Sequence, residues 1–124
     1  MSGDAQEWRI EAAVTFQRDF KHYEKKRPDE LSGVMDNLNG YFSSLGIGCC
    51  PQQITGKYIH REPSGIKALD QGRRSRVPLQ ETRLYVFPDE STRVLHLIAI
   101  GDKQSQKKDV EDAKKFVAAL KKGV

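Results

Sequence analysis

The sequence predicts an α+β fold: an N-terminal helical hairpin packed on a mostly antiparallel β-sheet of about four strands, followed by a C-terminal helix. Three observations carry this. Two consecutive stretches repeat their apolar residues with helical spacing and meet at Arg27-Pro28. Residues 82–100 form two apolar runs around an acidic turn. Beyond Ser105 a third stretch regains the helical period. At 124 residues the chain suits one domain with a real core, too small for two. It reads as a single domain over 1–124, with 1–7 as a flexible N-terminal tail.

The elements follow in order. WRIEAAVTF at 8–16 alternates weakly and suits an opening strand. From Thr15, a candidate N-cap, Phe16, Phe20 and Tyr23 share one helical face until Pro28 ends the run. A second helix is predicted from Asp29 to Leu45, on the spacing of Leu31, Met35, Leu38, Phe42 and Leu45. Gly33 and Gly40 weaken it by about 1 kcal/mol each relative to alanine, and Gly46 and Gly48 stop it. Residues 46–80 are broken by turn formers, with IKALD (66–70) as a short strand and QGRRSRVPLQE (71–81) as an exposed loop. TRLYVF (82–87), PDEST (88–92) and RVLHLIAI (93–100) make a hairpin rich in β-branched and aromatic residues. Leu84 and Val86 point one way, Arg83, Tyr85 and Phe87 the other. The second run is apolar nearly throughout, as in a central strand buried on both faces, with His96 as the exception. Ser105 or Asp109 suits the cap of the last helix. Val110, Ala113, Phe116, Val117 and Leu120 form its stripe, and Lys121 and Lys122 match its dipole. The helices are expected on one sheet face, leaving the other open beneath Arg83.

Composition narrows the function classes. Hydrophobic residues at 37% and charged residues at 31% suit a folded globular chain rather than a disordered one. No apolar run approaches the roughly 20 residues of a membrane span. The opening MSGDAQEWRIEAAV lacks a basic and a long apolar segment, so no signal peptide is expected. The two cysteines, Cys49 and Cys50, are adjacent, which supports neither a disulfide framework nor a zinc site. A reducing, cytoplasmic setting and no cofactor or metal are the expectation. Glycine-rich phosphate loops, nucleophile elbows and HExxH are absent from the sequence.

The net charge of +4 is unevenly placed. Residues 1–56 hold six Lys/Arg against eight Asp/Glu, 57–83 seven against three, and 84–124 eight against six. A basic segment in mid-chain attracts polyanions, and cations closing a hydrophobic hairpin suit a phosphate ligand. RNA cleaved by its own 2′-hydroxyl needs that proton removed, the phosphorane charge balanced and the 5′-oxygen protonated. Arginine offers a permanent fork of donors to phosphate; lysine or histidine can move protons. The candidates for this chemistry are Arg83, Lys103 at the end of the central strand, Lys67 and His60. Arg73, Arg74 and Arg76, with Lys57 and Arg61, are candidate RNA-binding residues giving salt-dependent affinity. The competing expectations are a structural acidic pair for Arg83, a solvated turn for Lys103 and a satisfied core position for His96.

F-x-R-D-F-K at 16–21, IKALD at 66–70, R-L-Y-V-F at 83–87 and V-L-H-L-I-A-I-G-D-K at 94–103 resemble the RelE/ParE toxin superfamily, the small toxins of bacterial toxin–antitoxin modules, and most of all its RelE/HigB-like branch. The resemblance spans roughly 8–122. It implies a helical hairpin on an antiparallel sheet. It also implies endoribonuclease activity on translating mRNA at the ribosome, and an antitoxin partner. Arg83 matches the strand arginine of that family. Lys103 stands where an arginine is common, and Lys67 matches a basic position loosely. SQKKDVEDAKKF, at 105–116, carries no tyrosine or histidine where such enzymes often place a catalytic aromatic group. Two alternatives therefore stay open: a ParE-like toxin that poisons DNA gyrase, or an RNA- or protein-binding domain that cuts nothing.

Overall fold

Pro28 does more than interrupt a helix: it is the first residue of the next one. In the computed structural model, which describes residues 7–72 and 82–123, the order is β1 (Arg9–Ala12), α1 (Val14–Lys26), α2 (Pro28–Gly46), β2 (Ile59–Arg61), β3 (Lys67–Asp70), β4 (Arg83–Asp89), β5 (Val94–Gly101) and α3 (Gln106–Lys121). Short 3-10 turns lie at Pro51–Gln53 and Pro63–Gly65. Proline lacks the N–H that a first helical turn leaves unused, and Asp29 and Glu30 beside it favour the positive end of the α2 dipole. The expected tail, apart from Glu7, lies outside the described residues, and so do Arg73, Arg74 and Arg76 of the expected loop.

The five strands form one mixed sheet in the order β1-β5-β4-β3-β2, with β1 parallel to β5 and the other pairs antiparallel. The fifth strand, β2, arises inside the turn-rich segment, where three residues are too few to show a period. All eight residues of β5 are buried, as its unbroken apolar run requires. The alternation along β4 is as expected. Leu84 and Val86 join Leu69, Leu95 and Leu97 under α1 and α2, with Phe16, Tyr23, Leu31, Val34 and Leu38 from the helices. Tyr85 and Phe87 join Ile66, Ala68, Ile98 and Ala99 on the reverse face.

That reverse face is not open. α3 lies across it through Ala113 and Val117, so the helices form two layers with the sheet between them. The cause is the hydrophobicity of Tyr85, Phe87 and Ile98, which water would leave unfavourably solvated. His96 shares this layer, buried, stacked on Phe87 and edge-on to Phe116.

Thr15 does not cap α1. The N-cap is Ala13, and the Thr15 hydroxyl donates to Ile98 O at 2.5 Å. β1 stops pairing where Ala13 N–H donates to Leu97 O. Thr15 then covers the next carbonyl of β5, and the Ile100 N–H donates to Asp19 Oδ2 at 3.1 Å. Two side chains of α1 thus replace a strand along the β5 edge, which otherwise would leave buried backbone groups unmet. Ser105 holds the N-cap position of α3, but its hydroxyl donates to Asp109 Oδ2 at 2.6 Å rather than capping the helix.

α2 is tied to the start of β4 by a buried hydrogen bond from Thr82 Oγ1 to Glu30 Oε1 at 2.5 Å. Gly33 brings the same helix against the end of β3. A Cβ there would stand 2.6 Å from the Gln71 carbonyl oxygen. The residue that weakens α2 by propensity is the one that lets it approach.

Candidate functional site

Three neighbouring strands bring the candidate groups onto the α3 side of the sheet. Asp70 and Arg83 are register partners across β3 and β4. His60 lies opposite Ala68, which in turn lies opposite Tyr85. Alternation therefore sets His60, Asp70, Arg83 and Tyr85 on one face, with the buried Ala68 between them.

Asp70 organises the group. Its Oδ2 meets His60 Nε2 at 2.8 Å, and its Oδ1 accepts the Gly72 N–H at 3.0 Å. Its backbone N–H donates to Tyr58 O, and Asn37 Nδ2 of α2 donates to its carbonyl at 2.7 Å. Gly72 adopts φ +72°, and a Cβ there would press on the Tyr58 ring at 3.0 Å, so glycine is demanded by both backbone and space. With both carboxylate oxygens and both backbone groups engaged, Asp70 is itself held in place and ties down the Nε2 side of the His60 imidazole.

Arg83 is largely withdrawn from solvent and meets Glu62. Its Nη1 is 3.9 Å from Glu62 Oε2, with both side chains 14% exposed. Glu62 is held in turn by its backbone, whose N–H donates to Ile66 O. The separation is at the outer limit of an ion pair, so the contact is weak beside a bidentate arginine–carboxylate pair. Beside it the Tyr85 hydroxyl is buried and meets no hydrogen-bond partner among the described residues. Burial, reinforced by Asp109 against the pull of Arg83, raises its pKa far above the usual phenol range, so it remains a neutral donor.

The other predicted residues are distributed differently. Lys103 is exposed in the turn after β5, two residues beyond Gly101, the register partner of Arg83. It thus leaves the sheet at the same end as Arg83. Asp102 shapes that turn: its Oδ1 accepts the N–H groups of Gln104 and Ser105, and its Oδ2 pairs with Arg27 Nη1 at 3.3 Å. Asp102 also helps burial push the Tyr23 phenol up to about 12. Lys67 does not join the site. It alternates with Ala68 and lies level with Val86, on the face covered by α1 and α2. It is only 3% exposed. Burial lowers its pKa below the ordinary lysine range, with Arg61 adding to the effect. A lysine on the opposite side of the sheet from Arg83 cannot converge on the same phosphate. Arg61 is exposed and donates to Gln52 O at 3.3 Å, and Lys57 is exposed in the turn before β2.

The site is therefore mixed in charge rather than a cluster of cations. Glu62 and Asp70 are the residues that sequence reasoning passed over. Both fall inside the basic segment 57–83, where carboxylates amid cations were the available signal. A cleft of about 490 Å³ between α1, β5 and α3 is lined by Asp19, Tyr23, Lys108, Asp109 and Phe116 among others. None of the predicted site residues that are described lines it. Among the described residues no cluster of histidine, cysteine and carboxylate side chains suits a metal ion, and no helix is long and apolar enough to cross a membrane. No family model, no curated protein and no solved structure matches the chain.

Proposed function

We propose that this protein is a RelE-like toxin that cleaves translating mRNA without a metal, and that a cognate antitoxin restrains it. The observation carrying this reading is the His60–Asp70 contact at 2.8 Å with Arg83 next to Asp70 in register. A carboxylate-bound imidazole on the same sheet face as a guanidinium suits transfer of an RNA phosphate to the neighbouring 2′-oxygen. His60 takes the 2′-hydroxyl proton as that oxygen bonds to phosphorus. Arg83, released from Glu62, balances the charge of the phosphorane. The bond to the 5′-oxygen breaks, the imidazolium returns a proton to it, and a 2′,3′-cyclic phosphate remains. Lys103, at the same end of the sheet, adds positive charge along the RNA backbone, as do Lys57 and Arg61. Lys67 has no part in this scheme.

The test is to incubate the purified protein with translating ribosomes and map the mRNA ends. New ends that vanish in Arg83→Ala and His60→Ala variants are expected. Cleavage unchanged in both variants would falsify the mechanism. A small DNA-binding protein encoded next to this one is the expected antitoxin.

One observation favours a second reading. The Arg83–Glu62 contact occupies the guanidinium with a carboxylate, as in a domain that binds RNA or protein and cuts nothing. Salt-dependent RNA binding with no new mRNA ends is its signature. Arrested replication with intact mRNA would point instead to a gyrase poison of the ParE kind.

A further inference from the structure

β1 is an edge strand whose four residues are all exposed. Its parallel register with β5 decides which backbone groups it leaves over. Arg9 N–H donates to Arg93 O at 3.0 Å and Ala13 N–H to Leu97 O at 2.9 Å. In a parallel ladder, residues whose N–H faces the neighbour alternate with residues that face away. The odd positions 9, 11 and 13 are thus used, and Ile10 and Ala12 turn their N–H and C=O outward. The Ala12 carbonyl is covered by Gln17 Nε2 at 3.0 Å. Ile10 presents both groups along the edge, with a side chain 40% exposed.

We propose that two copies of this chain pair through β1, antiparallel and centred on Ile10, joining two five-stranded sheets into one. The side chains select the second copy over other strands. A two-fold axis at Ile10 sets Arg9 opposite Glu11 of the second copy and Glu11 opposite its Arg9. Within one copy Arg9 Nη2 and Glu11 Oε2 are 3.3 Å apart, so these two side chains lie on the same face of the strand. Ile10 projects to the other face and meets Ile10 of the second copy. The backbone agrees with this register: Ile10 exchanges two N–H···O bonds with its mate, and the flanking Arg9–Glu11 positions become the closer, non-hydrogen-bonded pairs, where cross-strand charges interact most. A self-complementary patch related by a two-fold axis is the usual form of a homodimer contact. Pairing of such short strands buries less than the roughly 800 Å² per partner of a standard stable complex, so the association is concentration-dependent.

The test is sedimentation equilibrium of the full chain over a range of concentrations. Wild-type protein is expected to rise from 14.1 kDa toward twice that mass. Arg9→Glu and Glu11→Arg each place like charges across the axis and remain monomeric. An equimolar mixture of these two variants restores both opposite pairs and forms the dimer, as does the double variant carrying both exchanges. Positions 9 and 11 are exposed, so circular dichroism spectra identical to wild type confirm that folding is unaffected. A wild type that stays monomeric throughout overturns the proposal. So do single variants that dimerise like wild type, or a mixture that fails to dimerise.

Discussion

Glu62 stands 3.9 Å from Arg83, and each side chain is 14% exposed. The carboxylate occupies the guanidinium that the sequence offers for phosphate. On the proposed mechanism, a contact this long is exchanged for a phosphate that engages two arginine nitrogens at once. The resting pair therefore helps to balance a largely buried cation.

Replacing Glu62 with Gln removes one carboxylate that competes for Arg83. RNA affinity is expected to rise, with a steeper loss on adding salt, because Arg83 then contributes more to phosphate neutralisation. Filter binding of a short single-stranded RNA at several salt concentrations measures this. Unaltered affinity and an unaltered salt slope would show that Arg83 lies off the RNA path. The fold is expected to lose about 1 kcal/mol, as for a partly exposed pair.

Asp70→Asn retains the backbone bonds to Tyr58 and Asn37 but removes the charge that orients His60. On the proposed mechanism, cleavage falls by about 100-fold or more, the scale of a lost acid–base contribution, while RNA binding changes little. Cleavage rates and binding constants measured on the same RNA separate the two effects. Equal losses in both would reassign Asp70 to holding the fold.

Much of this architecture was legible before any coordinates. The spacing of Phe16, Phe20 and Tyr23 and the alternation of Leu84 with Tyr85 each report a burial direction, and burial is what period encodes. The unbroken run of β5 already required cover on both faces. The expectation of an open face conflicted with it, and α3 resolves the conflict. The site was less legible. Lys67 reads as a basic residue on a strand, but its face depends on the register with Val86, a pairing between distant segments. Glu62 and Asp70 become partners of Arg83 and His60 only once β2, too short to declare itself, is added to the sheet edge.

His96 makes the stability depend on pH. Its burial beside Phe87 and Phe116 lowers its folded pKa below the ordinary 6.5; Glu11 and Asp89 oppose this and Arg9 adds to it. A base with a depressed folded pKa binds more protons unfolded, so stability is complete above about pH 6.5 and declines as pH falls below it toward the folded value. Urea midpoints at pH 8 and pH 5.5 are expected to differ, with the lower value at pH 5.5. The difference shrinks in His96→Phe, which fills the same aromatic layer. A difference of the same size in that variant would assign the pH dependence to other groups.

Two glycines of α2 offer opposite outcomes for the same substitution. In a helix interior, alanine is favoured over glycine by about 1 kcal/mol. At Gly40 a Cβ meets nothing within 4 Å, so Gly40→Ala is expected to stabilise by about that amount. At Gly33 the Cβ would lie 2.6 Å from the Gln71 carbonyl oxygen and 3.1 Å from its Cβ. Backbone cannot yield as a flexible side chain does, so α2 and the end of β3 must separate. Gly33→Ala is expected to destabilise by about 1–3 kcal/mol, the range for overpacking. The displacement reaches Asp70, one residue before Gln71 and bonded to Asn37 of the same helix. Gly33→Ala should therefore also lower the activity that depends on His60, while Gly40→Ala leaves it unchanged. Thermal unfolding and mRNA-end mapping on the two variants check both halves. Stabilisation by Gly33→Ala would mean that α2 does not approach β3 as closely as the site requires.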